Sequence, residues 1–175
     1  MEVPADPTRA HFDAKAGTYR HLHLRPVHAH GCAREEEFTR PYLAPGQAVL
    51  DLGCGTGRAS AFLFAEGPRL ACGLDFSLPL LAHARRDIPS ADWLAGRTGA
   101  LPFRDGAFDL VACYGVLNYA PDPAGAVREI RRVLRPGGVL LASAMNRFDA
   151  SRILEAPAEA AMQLARALGP GLDAA

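Results

Sequence analysis

The sequence predicts an α/β protein built on a doubly wound parallel sheet, and three features carry that reading. Five short, nearly continuous apolar runs recur from Gln47 onward, helical patterns with marked ends separate them, and the first run leads into three alternating glycines. Strands covered by helices on both faces need continuous apolar runs, not alternating ones. Strand, helix, strand in repetition is the pattern of such a sheet.

The runs are Gln47–Leu52, Leu70–Leu74, Asp92–Ala95, Phe108–Tyr114 and Val139–Ala144. Gly57–Glu66 reads as a helix, with Ala59, Phe62, Leu63 and Glu66 at helical spacing. A second spans Ser77–Arg86, where Ser77 caps, Pro79 sits in the first turn and Arg85 and Arg86 suit the negative end of the helix dipole. Asp122–Leu134 repeats the design: Asp122 caps, Val127, Ile130, Val133 and Leu134 form the buried stripe, and Pro136-Gly137-Gly138 stops it. Residues 1–47, with prolines at 4, 7, 26, 41 and 45, read as an N-terminal helical cap on a domain spanning 48–175. Ser151–Leu168 is alanine-rich, with Ile153, Leu154, Ala161, Leu164 and Leu168 on one side, and reads as one helix or two around Pro157.

At 175 residues the chain holds one domain. Its 19 Lys and Arg balance its 19 Asp and Glu, so no bulk attraction draws it to nucleic acid or to an anionic membrane, and neither is expected as a partner. The N-terminus lacks the basic start and apolar run of a signal peptide, and no segment approaches the roughly 18 apolar residues of a span, so a cytoplasmic protein is expected. Cys32, Cys54, Cys72 and Cys113 show no C-x-x-C spacing and read as reduced thiols.

The most informative stretch is Val49-Leu50-Asp51-Leu52-Gly53-Cys54-Gly55-Thr56-Gly57. Glycines after a buried strand let the backbone turn sharply and let a ligand approach the main chain. The spacing is G-x-G-x-G, neither the G-x-G-x-x-G of dinucleotide sites nor a phosphate-gripping loop ending in G-K-[ST]. Asp75 ends the second run, and adjacent strand ends would let its carboxylate accept from both hydroxyls of a ribose. A carboxylate there repels a 2′-phosphate.

These residues resemble a known family. Val49 to Gly57 is similar to motif I of the class I S-adenosylmethionine-dependent methyltransferases, and Gly73-Leu74-Asp75-Phe76-Ser77 resembles the "G-x-D-x-S" that follows it. Leu101 to Val111 resembles "LPFxDxxFDxV", Leu134 to Leu140 resembles "LKPGGxL", and Phe12-Asp13-x-x-Ala16-x-x-Tyr19 is similar to the "YDxxAxxY" that opens many such chains. The pattern is nearest the small-molecule, quinone-biosynthesis type. The resemblance implies a Rossmann-like sheet in the order 3-2-1-4-5 and S-adenosyl-L-methionine as cofactor. It implies that Gly53, Gly55 and Gly57 lie against the methionine and ribose, that Asp51 organises the loop and faces the amino group, and that Asp75 binds the ribose hydroxyls. Phe76 would pack on the adenine, Tyr19 would close over the methionine portion, and Tyr114 would sit beside the transferable methyl. Where relatives commonly carry an acid that accepts from the adenine amino group, this chain has Arg97, which cannot accept, leaving contacts from Thr98.

Asn118 and Tyr119 follow the fourth run, where ligands collect in open α/β sheets, and are candidates for substrate contact. His21, His23, His28, His30 and Cys32 are metal-binding types, but their spacing around Pro26 points them at no common centre, so no metal is expected. No feature selects a general base. The expected function is methyl transfer from the cofactor to an O, N or C nucleophile of a small molecule. The alternatives are a non-catalytic or truncated cofactor-binding fragment and a nicotinamide oxidoreductase. The family usually adds an antiparallel strand pair after the fifth strand; the reading of 151–168 as helical leaves that pair out. A five-stranded sheet with an uncovered edge, open to a second copy of the chain, is therefore expected.

Overall fold

The first apolar run forms β1 (Ala48–Leu52), buried at every position, with its odd and even residues serving opposite faces of the sheet. The computed structural model describes residues 6–19, 21, 26–144 and 152–157. After α1 (Pro7–Tyr19) and α2 (Pro26–Thr39), the chain follows β1, α3 (Arg58–Leu63), β2 (Leu70–Asp75), α4 (Leu78–Asp87) and β3 (Asp92–Ala95). Then come β4 (Phe108–Tyr114), α5 (Pro123–Val133), β5 (Leu134–Ala144) and β6 (Arg152–Pro157).

The sheet order is β3-β2-β1-β4-β5-β6. The first five strands are parallel neighbours in the expected 3-2-1-4-5 order. The sixth strand corrects the expectation. Arg152–Pro157 pairs antiparallel with β5, from Ala144 opposite Arg152 to Val139 opposite Pro157, so among the described residues the sheet has six strands and the β5 edge is covered. The helical reading of 151–168 is thereby overturned over 152–157, and residues 158–168 lie outside those described. An open edge of unpaired N–H and C=O groups outweighs the modest helix preference of six residues. Pro157, which suggested a break in a helix, is the last residue of an edge strand, a place where a missing N–H is tolerated. The edge expected to invite a second copy is taken by the chain itself.

β5 also starts earlier than its apolar run. Val133 passes directly into extended backbone at Leu134, and Pro136-Gly137-Gly138 lies inside a register irregularity opposite Phe108–Leu110. Helices cover both faces. Leu50, Leu52, Leu74, Val111, Cys113 and Leu140 pack with Val127, Ile130 and Val133 of α5. On the other face, Val49, Leu110, Ala112 and Leu141 pack with Ala59 and Leu63 of α3, with Phe38 of α2 against them. Gly73 of β2 makes room for the Trp93 ring, since a Cβ there would stand 2.3 Å from it.

At the N-terminal end of the strands one side chain ties several together. The Asp109 carboxylate accepts from Ala48 N at 2.7 Å and from Arg69 at 3.2 Å, and also from Arg135. Among the described residues no helix is long and apolar enough to cross a membrane.

Candidate cofactor site

At the opposite end, the C-terminal tips of β1, β2, β3 and β4 open onto one cavity of about 310 Å³. The turn after β1 makes its floor. Gly53 N and Cys54 N both donate to Leu74 O, at 2.7 and 3.2 Å, which folds the loop back across the end of β2. Gly53, Gly55 and Gly57 all take positive φ, the region that favours glycine. Their neighbours differ. A Cβ on Gly53 would stand 2.2 Å from Val116, one on Gly57 would press on Ala84 and Trp93, and one on Gly55 would meet only Leu80 at 4.0 Å. Gly53 and Gly55 line the cavity; Gly57 does not, and its missing side chain serves the packing of α3 and α4.

Asp75 fixes the site's polarity. It is 5% exposed, lines the cavity, and accepts from Gly55 N at 2.9 Å and Ser77 N at 2.8 Å, so it holds the glycine loop against the start of α4. Burial raises its carboxyl above the ordinary range while the backbone N–H groups of Ser77, Gly55 and Phe76 pull the other way. A carboxylate has about four acceptor sites, so capacity remains for a ligand.

Of the other expected site residues, Phe76, Thr98, Tyr114, Tyr19 and Tyr119 line the cavity. Asp51 and Asn118 do not; Asn118 is exposed. Asp51 lies beneath the loop, where Ser60 Oγ donates to it at 2.5 Å and burial pushes its carboxyl up to about 6. Tyr114 bonds through its hydroxyl to Thr39 of α2, and burial raises its phenol, which keeps it protonated. Cys54, Cys72 and Cys113 are free and buried. His23 lies outside the described residues, as do the side chains of His28 and His30; among the described residues no group of three metal-binding side chains occurs.

The resemblance brought Tyr19 of α1 to the cofactor, but sequence reasoning missed two supports. The first is how Phe12 and Asp13 hold α1 on the site. Phe12 stands edge-on to Phe76, Tyr19 and Tyr119, with ring centroids 5.8, 5.6 and 5.2 Å away, and Asp13 accepts from Ser77 Oγ at 2.5 Å. Ala16 is buried, so every named position of Phe12-Asp13-x-x-Ala16-x-x-Tyr19 faces the site or the body of the protein. The second is α2, whose Glu35 accepts from Arg58 at 2.5 Å and from Ser143 Oγ at 2.9 Å, joining the first residue of α3 to β5. The available signal was helical spacing: Cys32, Glu35, Phe38 and Thr39 share one face.

Comparison with known proteins decides the family. A family described as a methyltransferase domain matches residues 50–142, over half of the chain. The chain belongs to this methyltransferase family. A probable S-adenosylmethionine-dependent methyltransferase of Mycolicibacterium smegmatis is 41% identical over 106 residues, which is 61% of this chain and 41% of that protein. Demethylmenaquinone methyltransferase of Lactiplantibacillus plantarum is 38% identical over 139 residues, 74% of this chain and 59% of that one. The methyltransferase chain thus spans about half the length of the curated relatives it matches. Among solved structures, an S-adenosylmethionine-dependent methyltransferase from Thermotoga maritima superposes with a TM-score of 0.65 at 25% identity, covering 79% of this chain and 62% of that chain.

The cavity's chemistry fits the cofactor of this family. Gly55 and Gly115 line it with positive φ, and a Cβ on Gly115 would have no atom within 4 Å, so main chain is presented to a ligand without obstruction. Beside them stands a buried carboxylate able to accept from hydroxyls.

Proposed function

We propose that this chain binds S-adenosyl-L-methionine across the strand ends and transfers its methyl group to a nucleophilic O, N or C of a small molecule. The observation that carries the reading is Asp75, buried at the end of β2, bonded to the glycine loop and open to the cavity. Family membership supports the transfer chemistry, and relatives named for methylating demethylmenaquinone support a small-molecule acceptor.

When bound, the cofactor supplies a sulfonium methyl already activated for displacement, so the protein's task is orientation and exclusion of water. Asp75 accepts from ribose hydroxyls. Gly53, Gly55 and Gly115 let the cofactor lie on bare backbone. Tyr114, tethered to Thr39, presents a fixed ring to the cavity at the end of β4. Asp51 stiffens the loop from below through Ser60. Phe12, Tyr19 and Tyr119 border the mouth with aromatic surface suited to a planar, apolar acceptor.

Titration calorimetry with S-adenosylmethionine and S-adenosylhomocysteine tests the proposal. Wild type should bind both, and Asp75→Ala should bind them at least tenfold more weakly, on the scale of a lost charged hydrogen bond. No binding by wild type would overturn the proposal, and equal binding by the variant would remove Asp75 from the ribose.

A further inference from the structure

Arg97 lies just after β3, and the structure gives it a partner 91 residues away. Its guanidinium donates to Asp6 Oδ2 at 2.7 Å, and both residues line the cavity. Asp6 is also the residue that starts α1: its Oδ1 accepts from Thr8 N at 3.0 Å and Arg9 N at 3.3 Å. Three donors on a carboxylate with about four acceptor sites leave one free, on the oxygen shared with Arg97. The Asp6 side chain is 22% exposed and lines the cavity, so a ligand there can reach it.

The order of strand ends places this pair. Tyr114 ends β4, the glycines follow β1, Asp75 ends β2, and Arg97 comes just after β3. A nucleoside whose ribose is held at β2, with its amino-acid chain on the β1 loop, must extend its base toward β3. There it meets Arg97, Thr98, Asp6 and Thr8.

We propose that Asp6, held on the cavity by Arg97, accepts from the exocyclic amino group of the cofactor's base, so that the residue capping the N-terminal helix reads the nucleoside. This rests on the cofactor reading above. Donation from Arg97 holds the Asp6 carboxyl below its ordinary range, so the group stays ionised and can only accept. It therefore selects a base carrying an N–H donor over one without. A site built to receive an N–H discriminates strongly against a ligand that lacks it. The arrangement restores, from another part of the chain, the acceptor that a guanidinium cannot supply.

The test is calorimetric and needs no turnover. Wild type is titrated with S-adenosylhomocysteine and with its analogue bearing hydrogen in place of the 6-amino group. Wild type should prefer the amino compound by about tenfold or more. Asp6→Ala should bind both with equal affinity, while Arg97→Ala, which frees Asp6 without deleting it, should give an intermediate ratio. General loosening of α1 would weaken both ligands together and leave the ratio unchanged. Neither substitution removes a residue of the Asp13–Ser77 bond or of the aromatic contacts that hold α1. Equal affinities in wild type, or an undiminished preference in Asp6→Ala, would overturn the inference while leaving the cofactor reading intact. Failure of wild type to bind S-adenosylhomocysteine would overturn both.

Discussion

Two carboxylates at the glycine loop have unlike duties. Asp75 faces the cavity, whereas Asp51 is sealed beneath it with Ser60 as its hydrogen-bond donor. A carboxyl raised from 3.8 to about 6 in the folded chain favours the protonated form, so ionised Asp51 weighs against the folded state by roughly 3 kcal/mol at neutral pH. That cost is relieved as pH falls from 7 through 6 toward 4, and Asp75, also raised by burial, acts in the same direction. Glu129 works oppositely. The hydrogen bond from Arg132 holds it below its ordinary value, and its contribution is lost only at more acid pH. Urea unfolding should therefore show wild type gaining stability between pH 7 and 5, with Asp51→Asn flatter across that window and more stable than wild type at pH 7. A steeper profile in the variant would show that another group dominates. Gly53, Gly55 and Asp75 line the cavity as their local spacing suggested. Asp6 was not legible, because its meaning depends on a partner 91 residues away, and the resemblance set Gly57 against the ligand although its missing side chain admits Ala84 and Trp93.

Among the elements, those bounded by chemical signals were read closely. Asp92–Ala95 and Phe108–Tyr114 match their apolar runs, and Ser77 and Asp122 cap the helices they were expected to cap. The caps differ in consequence. Asp122 accepts from Gly125 N at 2.8 Å at an exposed helix start, so Asp122→Ala should cost about 1 kcal/mol by urea denaturation. Ser77 is fully buried and also donates to Asp13, so Ser77→Ala should cost more, on the order of 2 kcal/mol, and should weaken cofactor binding because α1 is then held less firmly. Equal losses from the two substitutions would mean that the Asp13 bond contributes nothing. β6 was misread because Ile153 and Leu154 fit a helical stripe as well as a strand; what decides between them is the neighbouring strand's unpaired edge, a property of the assembled sheet.

For the whole molecule, β6 is the outermost strand on the β5 side among the described residues. It leaves β5 paired on both sides, so truncation before Arg152 should expose backbone groups from Val139 to Ala144. Size-exclusion chromatography with light scattering should then show larger, concentration-dependent species relative to the full chain; an unchanged profile would mean that the edge is protected without β6. The two ends of the sheet are also built differently. Asp109 draws β1, the approach to β2 and the start of β5 onto one carboxylate, far from the cavity. The molecule is bound there like a book at its spine, and the pages open at the other end. Changes in the loops after β1, β3 and β4 can reshape what the open end accepts while the binding that aligns the strands stays untouched, so ligand preference can drift in this chain without renegotiating its fold.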